Sequence, residues 1–285
     1  MNTRMALALC SLMAAPAAAG PPATTTPSAD GVPIAYHVQG RGAPVLVFVH
    51  CWTCDSSFWD AQVKHEAARH QVVTLDLAGH GRSGAGRQDW TMSAFADDVV
   101  AVVKKLGLQK VVLVGHSMGG PVIVEAARKM PERVIGLVPV DTLLDVSQVM
   151  PAAQIDAAMA EMQADFKGAT GRFARTYMFV PSSPPALIDD VLAKAAAADP
   201  KMAVAALRST WAYDARAGLA AIKVPIVAVN ADKFPTNVEA NRQAAPQFDA
   251  VIVKGVGHYL MREKPAEFNR ALDEALARVA AAGKK

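Results

Sequence analysis

The sequence predicts an α/β protein: a mostly parallel sheet with helices on both faces. Three observations carry that expectation. Short runs of β-branched and leucine residues alternate with segments of helical periodicity, the pattern of strands buried on both faces. One of these runs, residues 111–114, leads into Gly115-His116-Ser117-Met118-Gly119-Gly120 and then a segment of helical composition ending before Pro131. From Asp141 to Lys223 the alternation stops, and only helical stretches rich in Ala and Met occur, interrupted by Gly168, Gly171 and a Pro-rich segment at 181–185. An insert of this kind sits beyond the carboxyl ends of the strands, where open α/β sheets bind their ligands.

In chain order, residues 21–28 are rich in Pro and Thr and read as a linker or surface extension. Residues 31–38 read as an edge strand that tolerates Pro33 near its start, and residues 39–42 as a turn. Val45–Val49 is a buried strand, followed by the loop His50-Cys51-Trp52-Thr53-Cys54-Asp55. Ser56 or Ser57 is expected to cap a helix running from Phe58 towards Arg69. Val72–Leu75 is the next strand and opens into the Gly-rich loop at 76–83. Residues 92–106 place Phe95, Val99, Val102, Val103 and Leu106 at helical spacing and stop at Gly107. Val134–Val140 precedes the insert; strands resume at 224–229 and 250–253, and residues 265–281 read as a terminal helix. No internal repeat is visible.

The composition of the 285 residues, 52% hydrophobic and only 6% aromatic, suits a core of Ala, Val, Leu and Met, and the length suits a single α/β unit. Its 29 basic and 26 acidic residues are well mixed, for a formal charge of +3, with no basic run or aromatic–basic interleaving; nucleic acid is not expected as a partner. The first residues have the three-part layout of a secretory signal peptide: Arg4, an apolar run from Met5 to Ala15, and small residues around Ala19. Residues 1–19 are therefore expected to be a leader cleaved near Ala19, with residues 20–30 an N-terminal extension and the mature protein periplasmic or secreted. The apolar run is too short for a stable membrane anchor. A lipoprotein reading through Cys10 is weaker, because bulky Leu9 stands where a small residue is needed. Cleavage would take away the single charge of Arg4, turning +3 into +2, and would leave Cys51 and Cys54 as the only cysteines.

Strand, tight turn with serine at its tip, and helix together form the context of a nucleophile elbow, rather than of a merely Gly-rich turn. Such a turn forces the serine into a strained conformation and sets it at a helix N-terminus, where free N–H groups favour developing negative charge. Of the seven histidines, His258 lies in a Gly-rich loop between the last strand and the terminal helix, where a base can reach that serine. His37, His65 and His70 read as solvated, His80 and His116 as structural loop residues, and His50 as orienting the loop after its strand.

Four ordered motifs extend the argument: HCWTCDSSFWD (50–60), DLAGHGRSG (76–84), GHSMGG (115–120) and GVGHYLMREKP (255–265). On these the chain, from 31 to 281, resembles the α/β-hydrolase superfamily in its cap-bearing, lipase/esterase-like branch. The resemblance implies a core of residues 31–140 and 224–285, with a helical cap, 141–223, between the sixth and seventh core strands. It implies Ser117 as nucleophile, His258 as base and Asp232 as the triad acid, with Asp141, at the end of the preceding strand, as the alternative. Trp52 and Met118 would supply the oxyanion-hole N–H groups. The sequence departs from the family at Cys51, where glycine is usual and a positive φ is easily adopted. The Cys51/Cys54 pair admits redox, metal-binding (with His50) and disulfide readings. Redox motifs of this type sit at a helix start in another fold, and two cysteines with one histidine make an incomplete zinc site. A disulfide, or two buried thiols, stiffening the oxyanion loop is the expectation.

A serine nucleophile argues against epoxide hydrolases and haloalkane dehalogenases and for hydrolysis of a small or medium carboxylic ester, thioester or lactone. Alternatives on the same triad are a C–C bond hydrolase, perhydrolase, acyltransferase or aminopeptidase; an alternative of another class is a slow-turnover ligand-binding protein. Met150, Met159, Met162, Phe166, Phe173, Tyr177, Phe179, Trp211 and Tyr213 are candidates to line an apolar pocket under the cap. The expected partner is a small-molecule substrate. No dinucleotide, P-loop or complete metal motif is present, so no cofactor is expected.

Overall fold

The computed structural model describes residues 24–283; the expected leader, 1–19, and Cys10 lie outside them. Among the described residues one sheet has eight strands: β1 (Thr24–Pro27), β2 (Pro33–Gln39), β3 (Val45–Val49), β4 (Val72–Leu75), β5 (Val111–His116), β6 (Val134–Val140), β7 (Ile226–Ala231) and β8 (Phe248–Val253). Their spatial order is β1-β2-β4-β3-β5-β6-β7-β8. The β1–β2 and β2–β4 pairings are antiparallel and all others parallel.

The central strands β3, β4, β5 and β7 are buried along their whole length because both their faces are covered, and they are mostly apolar for that reason. Successive side chains point to opposite faces. Val45, Val47 and Val49 of β3 and Val111 and Leu113 of β5 therefore join one core, with Phe95, Val99 and Ile123. Leu46, Phe48, Val112 and Val114 join the other, with Trp59, Leu272 and Phe268. The covering helices include α1 (Asp60–Glu66), α2 (Met92–Lys105) and α3 (Gly119–Lys129); α9 (Val238–Ala244) joins β7 to β8, and the short α10 (Leu260–Glu263) leads into α11 (Pro265–Ala282) after β8.

Two expectations are corrected at the N-terminal side. The Pro/Thr-rich stretch is not all linker: Thr24–Pro27 is a strand, paired in register Thr24↔Tyr36 and Thr26↔Ile34, so β2 is interior and β1 is the edge. A tight turn closes this hairpin, with Ser28 N–H donating to the Val32 carbonyl (2.8 Å) and Gly31 at φ 84°. The helix start also differs. Asp55, not Ser56 or Ser57, is the N-cap; its carboxylate accepts the Ser57 N–H (3.0 Å), leading a 3₁₀ turn at Ser56–Trp59 into α1, which ends at Glu66.

Between β6 and β7 lie α4 (Ala152–Ala164), α5 (Phe166–Tyr177), α6 (Pro185–Ala197), α7 (Pro200–Trp211) and α8 (Ala215–Ala220). Asp165, Asp199 and Asp214 cap α5, α7 and α8, each accepting a backbone N–H of the first turn. Pro185 and Pro200 open their helices where no N–H donor is needed. Among the contacts that tie these helices to the core, Trp52 Nε1–H donates to the Ala203 carbonyl (2.7 Å), Lys194 pairs with Asp55 (2.5 Å), Arg262 pairs with Asp190 (2.5 Å), and the Met92 N–H donates to Ser209 Oγ (3.2 Å). No helix among the described residues is long and apolar enough to cross a membrane.

The hairpin, the loop after β4 and α2 are locked by one buried cluster. Arg87 donates to both carboxylate oxygens of Asp98 (2.5 and 3.1 Å) and to Asp30 (2.7 Å), while Asp98 also accepts from Ser28 Oγ (2.6 Å) and the Ala78 N–H (3.0 Å). The Arg87 and Asp98 side chains are both almost wholly buried. Removing one partner leaves the other charge uncompensated, so Arg87→Met is expected to destabilise the fold by about 3–5 kcal/mol. Urea unfolding at pH 7 measures this; a loss under 1 kcal/mol, the scale of an exposed pair, would count against a buried cluster.

Candidate active site

Ser117 occupies the turn between β5 and α3 with φ 53°, a left-handed conformation unusual for a residue with a side chain. Packing dictates it. A Cβ on Gly115 would stand 2.3 Å from the Gly119 carbonyl oxygen, and one on Gly119 would stand 2.7 Å from that of Val49. The Ser117 N–H is held by the Val140 carbonyl (2.9 Å), and its own carbonyl accepts the Gly120 N–H (2.8 Å).

His258 follows β8 through a loop turned by Gly255 (φ 66°). Its backbone N–H donates to the Met178 carbonyl (2.8 Å), and its backbone carbonyl accepts from His116 Nε2 (2.8 Å). Its Nδ1 lies 2.6 Å from Asp141 Oδ2. This corrects the choice of acid: the carboxylate on His258 belongs to Asp141, not Asp232. Asp141 leaves the end of β6 at φ 44°, which turns its side chain towards the histidine, and its second oxygen accepts the Ala231 N–H (2.9 Å). Asp232 accepts the Gly255 N–H instead (2.8 Å), holding the loop that carries His258. With Nδ1–H donated to Asp141, the imidazole presents Nε2 as an acceptor. That atom is buried and has no hydrogen-bond partner among the described residues.

Ser117, His258 and Asp141 open, with Trp52 and Met118, into a cavity of about 870 Å³. The Trp52 and Met118 backbone N–H groups have no protein acceptor among the described residues. Cys51 and Cys54 are joined by a disulfide, Cα–Cα 5.3 Å. The left-handed residue of their loop is Thr53 (φ 56°), not Cys51.

The remaining wall comes from the inserted helices. Of the nine side chains expected there, Met150, Met162, Phe173, Tyr177 and Trp211 line the cavity. The other four do not: Met159 and Phe166 are in the core, Phe179 stacks on Tyr259 (5.6 Å), and the Tyr213 hydroxyl donates to Glu125 (2.7 Å). Leu144, Leu207, Thr210 and Phe234 also line it and were missed. Helical spacing is the signal that finds most of the wall. Residues 169, 172, 173, 176 and 177 of α5 and residues 207, 210 and 211 of α7 each form one face. Arg172 and Glu161, both on the wall, pair with each other (2.7 Å).

Three buried histidines are scaffolding. His50 Nδ1–H donates to the Cys51 carbonyl (2.7 Å) while its Nε2 accepts the Leu77 N–H (2.9 Å), which requires a neutral ring. Burial pushes the pKa of His50 down, that of His116 well down, and that of His80 to about 3. His65 and His70 are half-buried and partnered rather than free in solvent: His65 Nε2 lies 2.9 Å from Asp273, and His70 Nδ1 3.0 Å from the Pro44 carbonyl. His65, Glu66 and Asp273 bring three donor atoms together, but none lines the cavity, and the Arg69 guanidinium already bridges the two carboxylates.

Over residues 46–271 the chain matches the profile of the alpha/beta hydrolase family, and it belongs to that family. It is 47% identical over 93 residues to a bifunctional esterase/perhydrolase of Acinetobacter calcoaceticus, a stretch covering 32% of this chain and 34% of that relative. The match thus spans about a third of the relative's length. A bromoperoxidase from Bacillus anthracis shares the fold, with a TM-score of 0.80 at 21% identity over 90% of this chain and 99% of the other. A thermophilic esterase from Thermogutta terrifontis is similar with a TM-score of 0.78 at 25% identity, over 90% of this chain and 98% of the other.

The depressed His80 pKa has a consequence for stability. The fold accommodates the neutral ring, so the unfolded chain takes up a proton near pH 6.5 that the folded chain binds only near 3. The contribution is complete above 6.5 and is lost as pH falls from there towards 3, by up to about 1.4 kcal/mol per pH unit. Urea unfolding from pH 7 to 4.5 is expected to show a shallower decline for His80→Asn than for wild type; parallel declines would mean that His80 titrates normally.

Proposed function

We propose that the protein is a serine hydrolase that cleaves small or medium carboxylic esters through an acyl-enzyme. One observation carries the reading: Ser117, lifted on a left-handed turn, shares a cavity with a histidine whose Nδ1 is held by a buried carboxylate and whose Nε2 is free. A serine hydroxyl requires such a base to become nucleophilic at neutral pH. In this reading His258 Nε2 takes the Ser117 proton as Oγ adds to the ester carbonyl. The Trp52 and Met118 N–H groups receive the oxyanion; a donor of this kind is typically worth ~10²–10³ in kcat. His258 returns the proton to the leaving alcohol, and water, deprotonated by the same nitrogen, releases the acid. Asp141 holds the tautomer and stabilises the imidazolium. Met150, Met162, Phe173 and Trp211 on the wall favour an apolar acyl or alcohol group.

A second reading, perhydrolysis, is favoured by the similarity to the bifunctional esterase/perhydrolase. Hydrogen peroxide would replace water on the acyl-enzyme and leave as the peracid.

Turnover of p-nitrophenyl acetate, butyrate and octanoate, with and without hydrogen peroxide, tests both. Ser117→Ala is expected to lose activity by several orders of magnitude. Asp141→Asn should fall by ~10³–10⁴, the scale of losing the carboxylate behind a catalytic histidine. Asp232→Asn should fall far less. Activity surviving in Ser117→Ala would overturn the reading, and equal losses at 141 and 232 would overturn the assignment of the acid. Peracid formed in step with ester loss would support the second reading.

We further propose that the mature enzyme is exported. The three-part N-terminus supports this, as does the Cys51–Cys54 disulfide, a cross-link typical of oxidising compartments. The intact mass of the protein expressed from its own start is expected to correspond to a chain beginning at Gly20; a retained Met1 leader would contradict export.

A further inference from the structure

We propose that the Cys51–Cys54 disulfide is a positioning element for catalysis: it holds the peptide whose N–H, from Trp52, stabilises the oxyanion. The proposal rests on the serine-hydrolase reading and concerns how one part of that site keeps its shape.

The argument is geometric. The bond closes a ring around only two intervening residues, Trp52 and Thr53. The Cys51 carbonyl and the Trp52 N–H belong to one planar trans peptide unit, so they point in opposite directions, and fixing one aims the other. The carbonyl is fixed twice, by His50 Nδ1–H (2.7 Å) and by the Cys54 N–H (3.2 Å). The second of these bonds lies inside the disulfide ring.

What works against this arrangement is Thr53. It sits at φ 56°, a region disfavoured for β-branched residues. A local turn of this kind persists only where its surroundings over-determine it. The other anchors do not act on the peptide itself: the Trp52 indole is tied to Ala203, and the Thr53 hydroxyl donates to the Trp52 carbonyl (2.8 Å). Without the cross-link His50 alone holds the Cys51 carbonyl from outside the turn, and Thr53 relaxing towards a negative φ pulls against that single hydrogen bond, rotating the preceding peptides and taking the Trp52 N–H off the oxyanion. Cys51 and Cys54 are 1% and 4% exposed, too buried for ready thiol exchange, so the bond persists once formed.

The test is a mutant cycle on the mature protein: wild type, Cys51→Ala/Cys54→Ala, Thr53→Gly and the triple variant. Each is measured for kcat and KM on p-nitrophenyl butyrate and for inhibition by phenylboronic acid, which forms a tetrahedral adduct on an active-site serine. Loss of the cross-link is expected to lower kcat roughly 10- to 100-fold, approaching the loss of an oxyanion donor. KM should stay within about twofold, and boronate affinity should weaken in step with kcat, because the interaction belongs to the transition state. Glycine adopts a left-handed φ without penalty. Thr53→Gly is therefore expected to restore most of the lost kcat in the cysteine-free protein while changing little in the disulfide-bonded one. A merely stabilising cross-link would change melting temperature without producing that rescue.

Cysteine-free protein with kcat within about twofold of wild type would overturn the proposal, as would a loss that Thr53→Gly leaves untouched. If the cysteine-free chain does not fold, wild type and Thr53→Gly are instead reduced with tris(2-carboxyethyl)phosphine in low urea, with both thiols counted. The phosphine takes oxygen from water and becomes its oxide as the disulfide becomes two thiols. The same fall in wild type, and its absence in Thr53→Gly, are expected; equal kcat before and after reduction of wild type would overturn the proposal. Oxidised wild type and Ser117→Ala, run alongside, report separately on the serine-hydrolase reading.

Discussion

The site depends on a crossing with no room for a side chain. β5, α3 and the carboxyl end of β3 meet at Gly115 and Gly119, where an added Cβ would fall on a neighbouring carbonyl oxygen in either case. Ser117, the middle of the three residues between these glycines, takes the left-handed turn, at a cost on the order of 1–2 kcal/mol. Parallel register carries this constraint outward. Val49 is aligned with Gly115, and His116 with Val140, so the loop after β3 and the start of the loop after β6 leave the sheet beside the serine. Trp52, Ser117 and Asp141 are thus brought together by three adjacent strands ending at one level.

The loops at that level are braced by buried polar groups rather than by solvent. His50 ties its own loop to Leu77, Asp76 accepts from Ser56 (2.8 Å) and Arg82 (2.9 Å), and His116 holds the carbonyl of His258. All but the Asp76–Arg82 bond join separate segments, 20 to 142 residues apart in sequence. The rings are kept neutral by burial, so their hydrogen bonds have fixed directions.

Much of this was legible in the sequence, and the parts that were not share a cause. Alternating apolar runs gave the central strands because both faces are buried there, and the serine and histidine stand in local patterns that constrain the backbone. The acid was not legible. Asp141 and Asp232 stand just beyond the ends of neighbouring parallel strands, β6 and β7, and their composition does not distinguish them. What separates them is the left-handed backbone of Asp141, which no residue type announces. β1 was missed because a Pro/Thr-rich stretch becomes a strand only through its antiparallel partner, β2. The α5 wall was partly missed because its face mixes Ala, Arg and Thr with aromatics, so no hydrophobic stripe marks it.

The Trp52 indole reaches its acceptor, the Ala203 carbonyl, across 151 positions of sequence. Because that acceptor is backbone, substitution at 203 leaves it in place, while a shift of α7 removes it. The inserted helices and the loop after β3 are therefore mechanically coupled. A chimera that placed another insert on this sheet would acquire a new cavity and at the same stroke lose this anchor of the Trp52 indole.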